Sequence, residues 1–554
     1  MAEGSRSTEL LPVEGPLQTD IRLDDGVVLA ADIWRPAVAG RFPVLLLRQP
    51  YGRRIASTVV LAHPAWYAAH GYVVAIQDVR GQGDSSGRFR VLADDGADGA
   101  ASLAWAADLP HGDGRVATYG FSYHAITQYL AMAGARRAGS KRPDAIAPVM
   151  GAYTVRDDWV YEGGALRLAL IQNWACQMAA EQARRAGDTT AYHALRRAAA
   201  EGCHLGPVPA HAEILHRYAR YTHYRSWLED DPATLARVSP ALALQDDPLD
   251  VPALHVGGWL DFMLEGTLAA DRAFRDRSAA RQRLIVGPWP HLPWGRRLGR
   301  DLGPTAGVGI DAEIVSFFDR ELKGMGVDGP AYRLFDLGSR GWRDFDELAT
   351  PFGQSFYLES GGLAATSTED GRLVVEPGAA GEDFLVHDPW RPAPAVGLHL
   401  GDPPGYVNRG SADDRSDVLV YTSAPLAAPL VLAGPVAAEL FVVADQPSHD
   451  LNCTLSVVWR DGEGMALTGG HLRVPDASAD GPRRVAMRAT CATIPAGAAL
   501  RLSIQAAAWP AFALNPGSGK RAEDTSLAGA RVTTLRVQHG GANPSRLLLT
   551  RAPD

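Results

Sequence analysis

The chain has 554 residues, of which 46% are hydrophobic and 21% charged, and its formal net charge is −9. A chain of this length exceeds what a single hydrophobic core supports, so several domains are expected. The mildly acidic balance disfavours a nucleic-acid partner, because binding to phosphates needs an excess of basic residues.

The sequence gives no sign of a membrane segment or a metal. Residues 1–7 lack an apolar run after a basic start, which argues against a signal peptide, and no run of about 18 apolar residues predicts a membrane span. The cysteines form no closely spaced pair, which disfavours a zinc site or a disulfide framework: Cys176, Cys203, Cys453 and Cys491. We therefore expect a cytoplasmic protein without a cofactor, and leave open whether it forms a homo-oligomer.

The first 150 residues alternate apolar strands with helical segments. Helices are predicted over 58–70, over 97–107 and in a segment that runs through Ala135. Strands are predicted over 19–23, 27–34, 44–47, 72–76, 116–119 and 145–150. Nearly continuous apolar strands separated by helices are typical of a parallel sheet that is covered on both faces, so this part is predicted to be α/β.

A helical insertion interrupts this pattern. Residues 157–243 lack strand patterns and contain Ala/Arg-rich helical segments, including 165–185 and 189–200. The α/β alternation then resumes, with strands predicted over 253–256 and 284–286 and helices over 266–277 and 311–323. The insertion is therefore predicted to be a cap on the α/β domain.

After residue 351 the helical patterns nearly disappear. Short β-type runs with Gly/Pro turns between them follow instead, over 373–375, 418–421, 438–443, 454–459 and 531–537. Such runs are typical of a β-sandwich or jelly roll. The predicted domains are an α/β domain (1–150 and 245–350), the helical cap (151–244) and the β jelly-roll domain (351–554).

The segment 116–125 carries the sharpest catalytic signal. An apolar strand leads into Gly120, Phe121 and Ser122, and a helix-compatible run follows. A nucleophile elbow has this arrangement: its tight turn raises the serine Oγ above the sheet, and the helix N-terminus helps to stabilise an oxyanion. The segment departs from Gly-x-Ser-x-Gly, because His124 and Ala125 take the fifth and sixth positions. A serine that merely caps a helix is the alternative.

Two further catalytic candidates follow later strands. Asp261 and His291 come after Ser122 in the chain order of an α/β-hydrolase, and both stand at strand ends, where open α/β sheets place their sites. In this interpretation His291 is the general base that takes the proton of Ser122, and Asp261 orients its imidazole. The alternatives are a helix cap for Asp261 and a surface loop for His291. His124 and His255 are the weaker rival bases.

Five short motifs occur in order along the chain: RQPYG at 48–52, QDVRGQGDSSG at 77–87, GFSY at 120–123, GWLD at 258–261 and GPWPH at 287–291. Together with RSDVLVYTS at 415–423, they resemble the bacterial cocaine esterase and X-prolyl dipeptidyl-peptidase family of serine hydrolases. The resemblance covers most of the chain. It implies an α/β-hydrolase with a helical cap and a C-terminal jelly-roll domain, in agreement with the boundaries predicted above.

The resemblance also implies an oxyanion hole with a side-chain donor. Family members use a tyrosine hydroxyl there, and Tyr51 matches that position; the other donor would be the backbone N–H of Tyr123. The family usually has glycine three residues after the nucleophile, where this chain has Ala125, so the close packing of the following helix against the strand is expected to differ slightly. Without the resemblance, Tyr51 would be interpreted as an exposed loop residue.

Three competing interpretations receive less support. The glycine-rich loop at 81–87 follows a strand, but its spacing differs from a dinucleotide fingerprint, and the resemblance implies a structural role for it. A carbohydrate-binding role for the β domain is the principal non-enzyme hypothesis, with Trp390 and Trp509 as candidate aromatic contacts. Two short acidic groups could suggest a metal site: His449 with Asp450, and Asp413 with Asp414. Both are more simply interpreted as solvated turns.

The expected reaction is hydrolysis of a small-molecule ester or amide through an acyl-enzyme on Ser122. Three apolar residues follow Asp261, with only Glu265 slightly farther on, which favours an apolar or aromatic acyl group over a free α-amino group. An X-prolyl peptidase or amidase is the alternative, and a non-catalytic glycan- or partner-binding scaffold is the third hypothesis. Aromatic and aliphatic cap residues could line the acyl pocket or form the core of the cap itself: Trp159, Tyr161, Leu166, Leu168 and Trp174.

Overall fold

The computed structural model describes residues 10–553, except 55–59, 205, 207, 229–231, 293, 295–296, 299, 308 and 327. The N-terminal segment 1–7 and the start of the helix predicted over 58–70 lie outside the described residues. In the described part of that segment, the helix covers only Pro64–Ala69, with proline in its first turn.

The N-terminal part contains every strand predicted there, together with the helices between them. Its elements are β1 (Val13–Arg22), β2 (Val28–Pro36), β3 (Phe42–Gln49), α1 (Pro64–Ala69), β4 (Val73–Asp78), α2 (Asp95–Ala107), β5 (Gly112–Phe121), α3 (Tyr123–Ala138) and β6 (Ala145–Val149).

The insertion is mainly helical, but the expectation that it lacks strands is wrong at its start. The helix predicted from residue 165 begins at Leu168, because Ala165 and Leu166 pair with the preceding strand in a short hairpin. After a π-helical turn at Val155–Val160, its elements are β7 (Tyr161–Glu162), β8 (Ala165–Leu166), α4 (Leu168–Arg185), α5 (Thr189–Glu201), α6 (Glu213–Arg217), a 3₁₀ turn (Ala219–Tyr221), α7 (Tyr224–Leu228), α8 (Pro232–Ala236) and α9 (Pro240–Ala243).

After the insertion the chain returns to the first sheet. The elements are β9 (Ala253–Leu260), α10 (Leu264–Arg277), β10 (Gln282–Pro290), β11 (Arg297–Leu298), β12 (Arg300–Asp301), a 3₁₀ turn (Pro304–Gly307), α11 (Ile310–Lys323), β13 (Tyr332–Asp336) and β14 (Gly341–Phe345). The sheet has ten strands in the order β1-β2-β4-β3-β5-β6-β9-β10-β13-β14.

The strands from β4 to β13 in this sheet pair in parallel, and antiparallel strands flank them. Every residue of β4, β9 and β10 is buried, as expected for a sheet that is covered on both faces. Because the carboxyl ends of parallel strands lie at one edge of a sheet, the residues that follow β5, β9 and β10 are brought to the same edge.

The C-terminal third is predominantly β-structure. Its elements are β15 (Gln354–Glu359), β16 (Arg372–Val374), β17 (Gly381–His387), α12 (Gly410–Asp413), β18 (Leu419–Ser423), β19 (Leu430–Ala444), β20 (His449–Val458), β21 (Gly464–Val474), β22 (Arg483–Ile494), β23 (Ala499–Gln505), two 3₁₀ turns (Ala522–Asp524 and Leu527–Gly529), β24 (Thr533–His539) and β25 (Arg546–Leu549). The chain is thus an α/β-hydrolase with a helical cap and a C-terminal β-sandwich.

The interpretation of two acidic groups as solvated turns is wrong for most of their residues. Asp413 and Asp450 are each 2% exposed, because arginines neutralise both carboxylates inside the β domain. His449 is buried as well, whereas Asp414 is exposed. Among the described residues, no group of three His, Cys, Asp or Glu could bind a metal ion. No helix in the described part of the chain combines the length and apolar character needed to cross a bilayer.

Candidate active site

Ser122 lies at a sharp turn between β5 and α3. Its backbone has φ 64° and ψ −122°, a conformation that L-residues rarely adopt and that is found at constrained functional turns. Gly120 makes the turn possible, because its φ is 144° and a Cβ there would lie 2.4 Å from the Cβ of His124. The N–H of Ser122 donates to the carbonyl of Val149 on β6 at 2.8 Å, which fixes the turn against the sheet.

The methyl group of Ala125 is accommodated by a glycine on the neighbouring strand connection. Ala125 is fully buried, and a Cβ on Gly151 would lie 2.6 Å from the Cβ of Ala125. The space for close packing is therefore provided by residue 151 instead of residue 125. The helix that begins after Ser122 thus keeps its close contact with the sheet.

Asp261, His291 and Ser122 form a continuous hydrogen-bonded chain. His291 Nδ1 lies 2.7 Å from Asp261 Oδ1, and His291 Nε2 lies 2.9 Å from Ser122 Oγ. Asp261 is fully buried at the end of β9. The His291 ring contacts two phenylalanine rings, with centroid distances of 4.5 Å to Phe121 and 4.3 Å to Phe262. This arrangement can move a proton from Oγ to the imidazole while the carboxylate fixes the ring.

Tyr51 lies beside the serine, on the loop after β3. Burial raises the pKa of Tyr51 to about 12, although hydrogen bonds with Trp174 and Ser122 oppose that rise. The indole N–H of Trp174 donates to the Tyr51 hydroxyl at 3.2 Å. The phenol therefore keeps its proton at neutral pH, and because it accepts from Trp174 through a lone pair, its O–H can turn to donate to an oxyanion at Ser122.

Tyr123 offers its backbone to the site, because its side chain is engaged elsewhere. It is the first residue of α3, a position whose N–H has no acceptor within the helix. Its buried hydroxyl donates to Asp95 Oδ2 at 2.7 Å and accepts from the N–H of Leu92 at 2.9 Å. The group available next to Ser122 is thus the N–H predicted for the oxyanion hole.

Neither rival histidine forms a hydrogen bond with Ser122 in the described structure. Burial lowers the pKa of His124 to about 3, and neither of its ring nitrogens has a hydrogen-bond partner among the described residues. His255 is fully buried inside β9, where Nδ1 lies 3.2 Å from the Tyr129 hydroxyl, and burial lowers its pKa to about 3 as well. Both imidazoles are therefore neutral, with His255 inside the sheet and His124 in the wall of the cavity beside Ser122.

A cavity of about 800 Å³ opens onto Ser122 and His291. Of the cap residues proposed to line it, Trp159 and Trp174 do so, whereas the other three pack in the core of the cap: Tyr161, Leu166 and Leu168. The lining is completed largely by apolar side chains such as Leu170, Met178 and Phe262. Such a cavity suits a large apolar group bonded to the carbonyl that the serine attacks.

A network that sequence reasoning missed supports the Tyr51 loop. Gln49 Oε1 accepts from the N–H of Tyr51 at 2.7 Å, and Gln49 Nε2 donates to Asp78 Oδ1 at 3.0 Å. Asp78 also accepts from the N–H of Arg53 at 2.6 Å. A Cβ on Gly83 would lie 2.1 Å from Asp78 Oδ2, so the glycine-rich loop has the structural role that the resemblance implied. Gln49 belongs to the motif at 48–52 and Asp78 to the motif at 77–87, and these motifs are the sequence signal that could have indicated the network.

Comparison with known proteins gives the same family along almost the whole chain. The family model for X-Pro dipeptidyl-peptidase (S15 family) matches residues 25–293, and the model for the X-Pro dipeptidyl-peptidase C-terminal non-catalytic domain matches residues 325–548. The cocaine esterase of Rhodococcus sp. (strain MB1 Bresler) is 29% identical over an alignment of 568 positions, which covers 96% of this chain and 97% of that protein.

Two solved structures share the fold over the full length of the chain. An aminopeptidase from a marine sediment archaeon of the Thaumarchaeota superposes with a TM-score of 0.78 at 21% identity, covering 100% of this chain and 98% of that one. An alpha-amino acid ester hydrolase superposes with a TM-score of 0.74 at 19% identity, with the same coverage of both chains. At these identities the likeness shows a common fold.

Proposed function

The chain belongs to the X-Pro dipeptidyl-peptidase (S15) family of serine hydrolases, and on this premise we propose that it hydrolyses carboxylic esters through an acyl-enzyme on Ser122. The observation that carries the proposal is the hydrogen-bonded chain from Asp261 through His291 to Ser122, at the floor of a largely apolar cavity. A strained serine that merely capped a helix would not need a buried carboxylate–imidazole pair beside it.

The reaction follows from this geometry. Ser122 Oγ attacks the ester carbonyl carbon as its proton passes to His291 Nε2, and the Asp261 carboxylate stabilises the resulting imidazolium. The oxyanion accepts hydrogen bonds from the Tyr51 hydroxyl and the Tyr123 N–H, each worth about 2.7–4 kcal/mol in the transition state. Collapse of the intermediate breaks the bond to the alcohol, which leaves with the proton from His291. His291 then takes a proton from a water molecule, which attacks the acyl carbon; the second intermediate collapses to the acid as His291 returns the proton to Ser122 Oγ.

The cavity supports an apolar or aromatic acyl group. Recognition of a free α-ammonium group would need an unengaged carboxylate in the pocket. Glu265 Oε1 accepts instead from the N–H of Ala489, and Glu181, which lines the cavity, is ion-paired with Arg184 at 2.8 Å. An X-prolyl peptidase or amidase is the second candidate, because both matched family models carry the X-Pro dipeptidyl-peptidase description.

We also propose the role of each domain and the cellular location of the protein. The catalytic residues lie in 1–150 and 245–350, the cap of residues 151–244 supplies Trp159 and Trp174 to the cavity, and residues 351–554 form the β domain. Ten strands from these two ranges form one sheet, namely β1–β6 together with β9, β10, β13 and β14, and this shared sheet supports the first boundary pair. A cytoplasmic location is consistent with four cysteines that are all free thiols.

Wild type and Ser122→Ala should be compared on p-nitrophenyl acetate, p-nitrophenyl benzoate, a p-nitrophenyl amino-acid ester and an X-Pro p-nitroanilide. We expect turnover of the acetate and benzoate esters by wild type, and its loss in Ser122→Ala. Ester turnover that survives in Ser122→Ala would contradict the mechanism. Turnover confined to the X-Pro anilide would replace the substrate proposal with the peptidase, and binding of glycans without any turnover would favour the scaffold.

A further inference from the structure

A buried ionic cluster joins the cap to the β domain close to the active site. Glu162, at the end of β7, accepts from Arg167 at 3.1 Å and from Arg488 of β22 at 2.9 Å, and its Oε2 lies 3.1 Å from His399 Nε2. Burial alone would raise the pKa of Glu162, but Arg488, His399 and Arg167 outweigh it and keep the pKa well below its usual range. The carboxylate is therefore ionised and fixes Arg488 in one orientation.

Two consecutive residues of β22 contact the segment that follows Asp261. Arg488 Nη2 donates to the carbonyl of Phe262 at 3.2 Å, and the N–H of Ala489 donates to Glu265 Oε1 at 3.1 Å. Both ends of the segment 262–265 are thus hydrogen-bonded to one strand of the β domain. Arg488 is only 4% exposed, so water does not compete effectively for these contacts.

We propose that Arg488 is a positioning residue for the catalytic histidine, and that through it the β domain sets the geometry of the active site. The inference rests on the proposed function. Its physical path is short: Arg488 fixes the Phe262 carbonyl, and the centroid of the Phe262 ring lies 4.3 Å from that of the His291 ring. The imidazole can remain in line between Asp261 and Ser122 only while the phenylalanine ring stays in this position.

The guanidinium group is suited to this role in a way that lysine is not. Nη1 and Nη2 both donate to Glu162, and Nη2 also donates to the Phe262 carbonyl. A planar fork with several donors satisfies two acceptors at once, whereas an ammonium group is a compact point charge on a flexible stem. Arg488 therefore links the Asp261 segment to the cap hairpin and to β22 simultaneously.

The test compares Arg488→Met and Arg488→Lys with Arg409→Met. Arg409 is a matched control, because it is 2% exposed and its hydrogen-bond and ion-pair partners among the described residues lie in the β domain: Val396, Asp413 and Gln505. With p-nitrophenyl acetate, we expect kcat of Arg488→Met to fall by about 10- to 100-fold with little change in KM, as for a displaced catalytic group. We expect kcat of Arg488→Lys to recover only in part, and kcat of folded Arg409→Met to equal that of wild type.

Folding and chemistry are separated by two further measurements on the same proteins. Near-ultraviolet circular dichroism and the Tm identify the fraction folded, and a fluorophosphonate probe gives the rate of Ser122 labelling, which should fall in parallel with kcat in Arg488→Met. Equal kcat and labelling rates in folded Arg488→Met and wild type would overturn the inference. Equal losses in Arg488→Met and Arg409→Met would overturn it too, by assigning the loss to the β-domain fold. Wild type that does not label at Ser122 would instead contradict the proposed function itself.

Discussion

Tyr51 and Trp174 come from distant segments of the chain, and their side chains meet at the Tyr51 hydroxyl. The hydroxyl of Tyr51 accepts from the Trp174 indole, and burial raises the pKa of Tyr51 to about 12. A hydroxyl that is kept protonated, with one lone pair occupied, is a preorganised donor for an oxyanion. The roles of both residues can therefore be tested one atom at a time.

Replacing Tyr51 with phenylalanine removes one hydroxyl while keeping the ring. We expect kcat to fall about 10²-fold or more, because one oxyanion donor is lost. Steady-state kinetics with p-nitrophenyl acetate measures the change, and Tyr357→Phe on β15 is the control. An unchanged kcat in a folded Tyr51→Phe protein would exclude Tyr51 from the oxyanion hole.

Trp174→Phe removes the indole donor but keeps an aromatic ring in the cavity wall. We expect kcat to fall by about 3- to 10-fold, equivalent to about 1 kcal/mol for one hydrogen bond. In a Tyr51→Phe background the same change should have no further effect, since the hydroxyl that accepts the bond is gone. Full additivity in this double-mutant cycle would show that Trp174 acts through packing alone.

His124 should affect stability at acid pH without setting the pH dependence of catalysis. Its folded pKa of about 3 lies below the ordinary value of about 6.5, so the folded state binds fewer protons in that range and loses stability as the pH falls from about 6.5 towards 3. We expect His124→Gln to lose less Tm than wild type between about pH 7 and pH 5. The acid limb of kcat/KM should stay at the same pH, and a displaced limb would make His124 a participant in proton transfer.

Among single residues, the meeting of Ser122, Asp261 and His291 could be predicted from the sequence, because each stands where a buried strand ends. The Tyr51 role came only from resemblance, since nothing local distinguishes a loop tyrosine from an oxyanion donor. Arg488 could not be predicted at all: its contact with Phe262 joins residues 226 positions apart along the chain, through strands whose pairing no local pattern specifies.

At the scale of elements, the close approach of α3 to the sheet depends on the pair formed by Ala125 and Gly151. A Cβ on Gly151 would lie 2.6 Å from the Cβ of Ala125, well inside the distance at which two methyl groups repel. The start of the helix, and with it the Tyr123 N–H, would have to move to relieve that contact. The extra methyl group of Ala125 is thus accommodated by the missing side chain of Gly151, which follows the neighbouring strand β6.

The pair predicts a reciprocal substitution. Gly151→Ala should lower the free energy of unfolding by about 1–3 kcal/mol through overpacking, and Ala125→Gly in the same protein should recover part of that loss. Ala125→Gly alone should cost about 1 kcal/mol, the helix cost of glycine. Thermal or urea unfolding of the four proteins gives the coupling energy. Strictly additive losses would mean that the two positions do not share one space.

Element boundaries show where local pattern suffices and where it does not. The buried strands could be predicted because they are continuous apolar runs. The long helices α2, α3, α10 and α11 could be predicted because their apolar residues recur at helical spacing. The hairpin of β7 and β8 was missed, because two-residue strands have no periodicity of their own. Its pairing brings Glu162 to the buried cluster that includes Arg167 and Arg488.

At the scale of the whole molecule, the β domain forms hydrogen bonds with the catalytic sheet as well as with the cap. Asp336, the last residue of β13, is fully buried and accepts from the N–H of Thr493 on β22 at 2.7 Å, and it also accepts from Gly338 and Ser339. A Cβ on Gly338 would lie 1.9 Å from the Thr493 carbonyl, so the two backbones touch. β22 thus contacts both the edge of the sheet and the Asp261 segment.

Asp336→Ala tests whether this attachment stabilises the whole molecule. Removing the carboxylate leaves several partly buried or exposed donors without their acceptor, and each lost hydrogen bond costs about 0.5–1.5 kcal/mol. We expect a clear fall in Tm, with the β domain and the catalytic domain still unfolding in one transition. Differential scanning calorimetry distinguishes this from a split transition, which would show that the two domains unfold independently.

The central claim is that Ser122 forms the acyl-enzyme, and covalent trapping tests it most directly. Wild type and Ser122→Ala should each be incubated with a fluorophosphonate, and peptides spanning residue 122 should be sequenced by mass spectrometry. We predict one phosphonate per wild-type chain, on Ser122, with loss of esterase activity in proportion to labelling, and no adduct in Ser122→Ala. Stoichiometric labelling at another residue, or full esterase activity after Ser122 is blocked, would contradict the account.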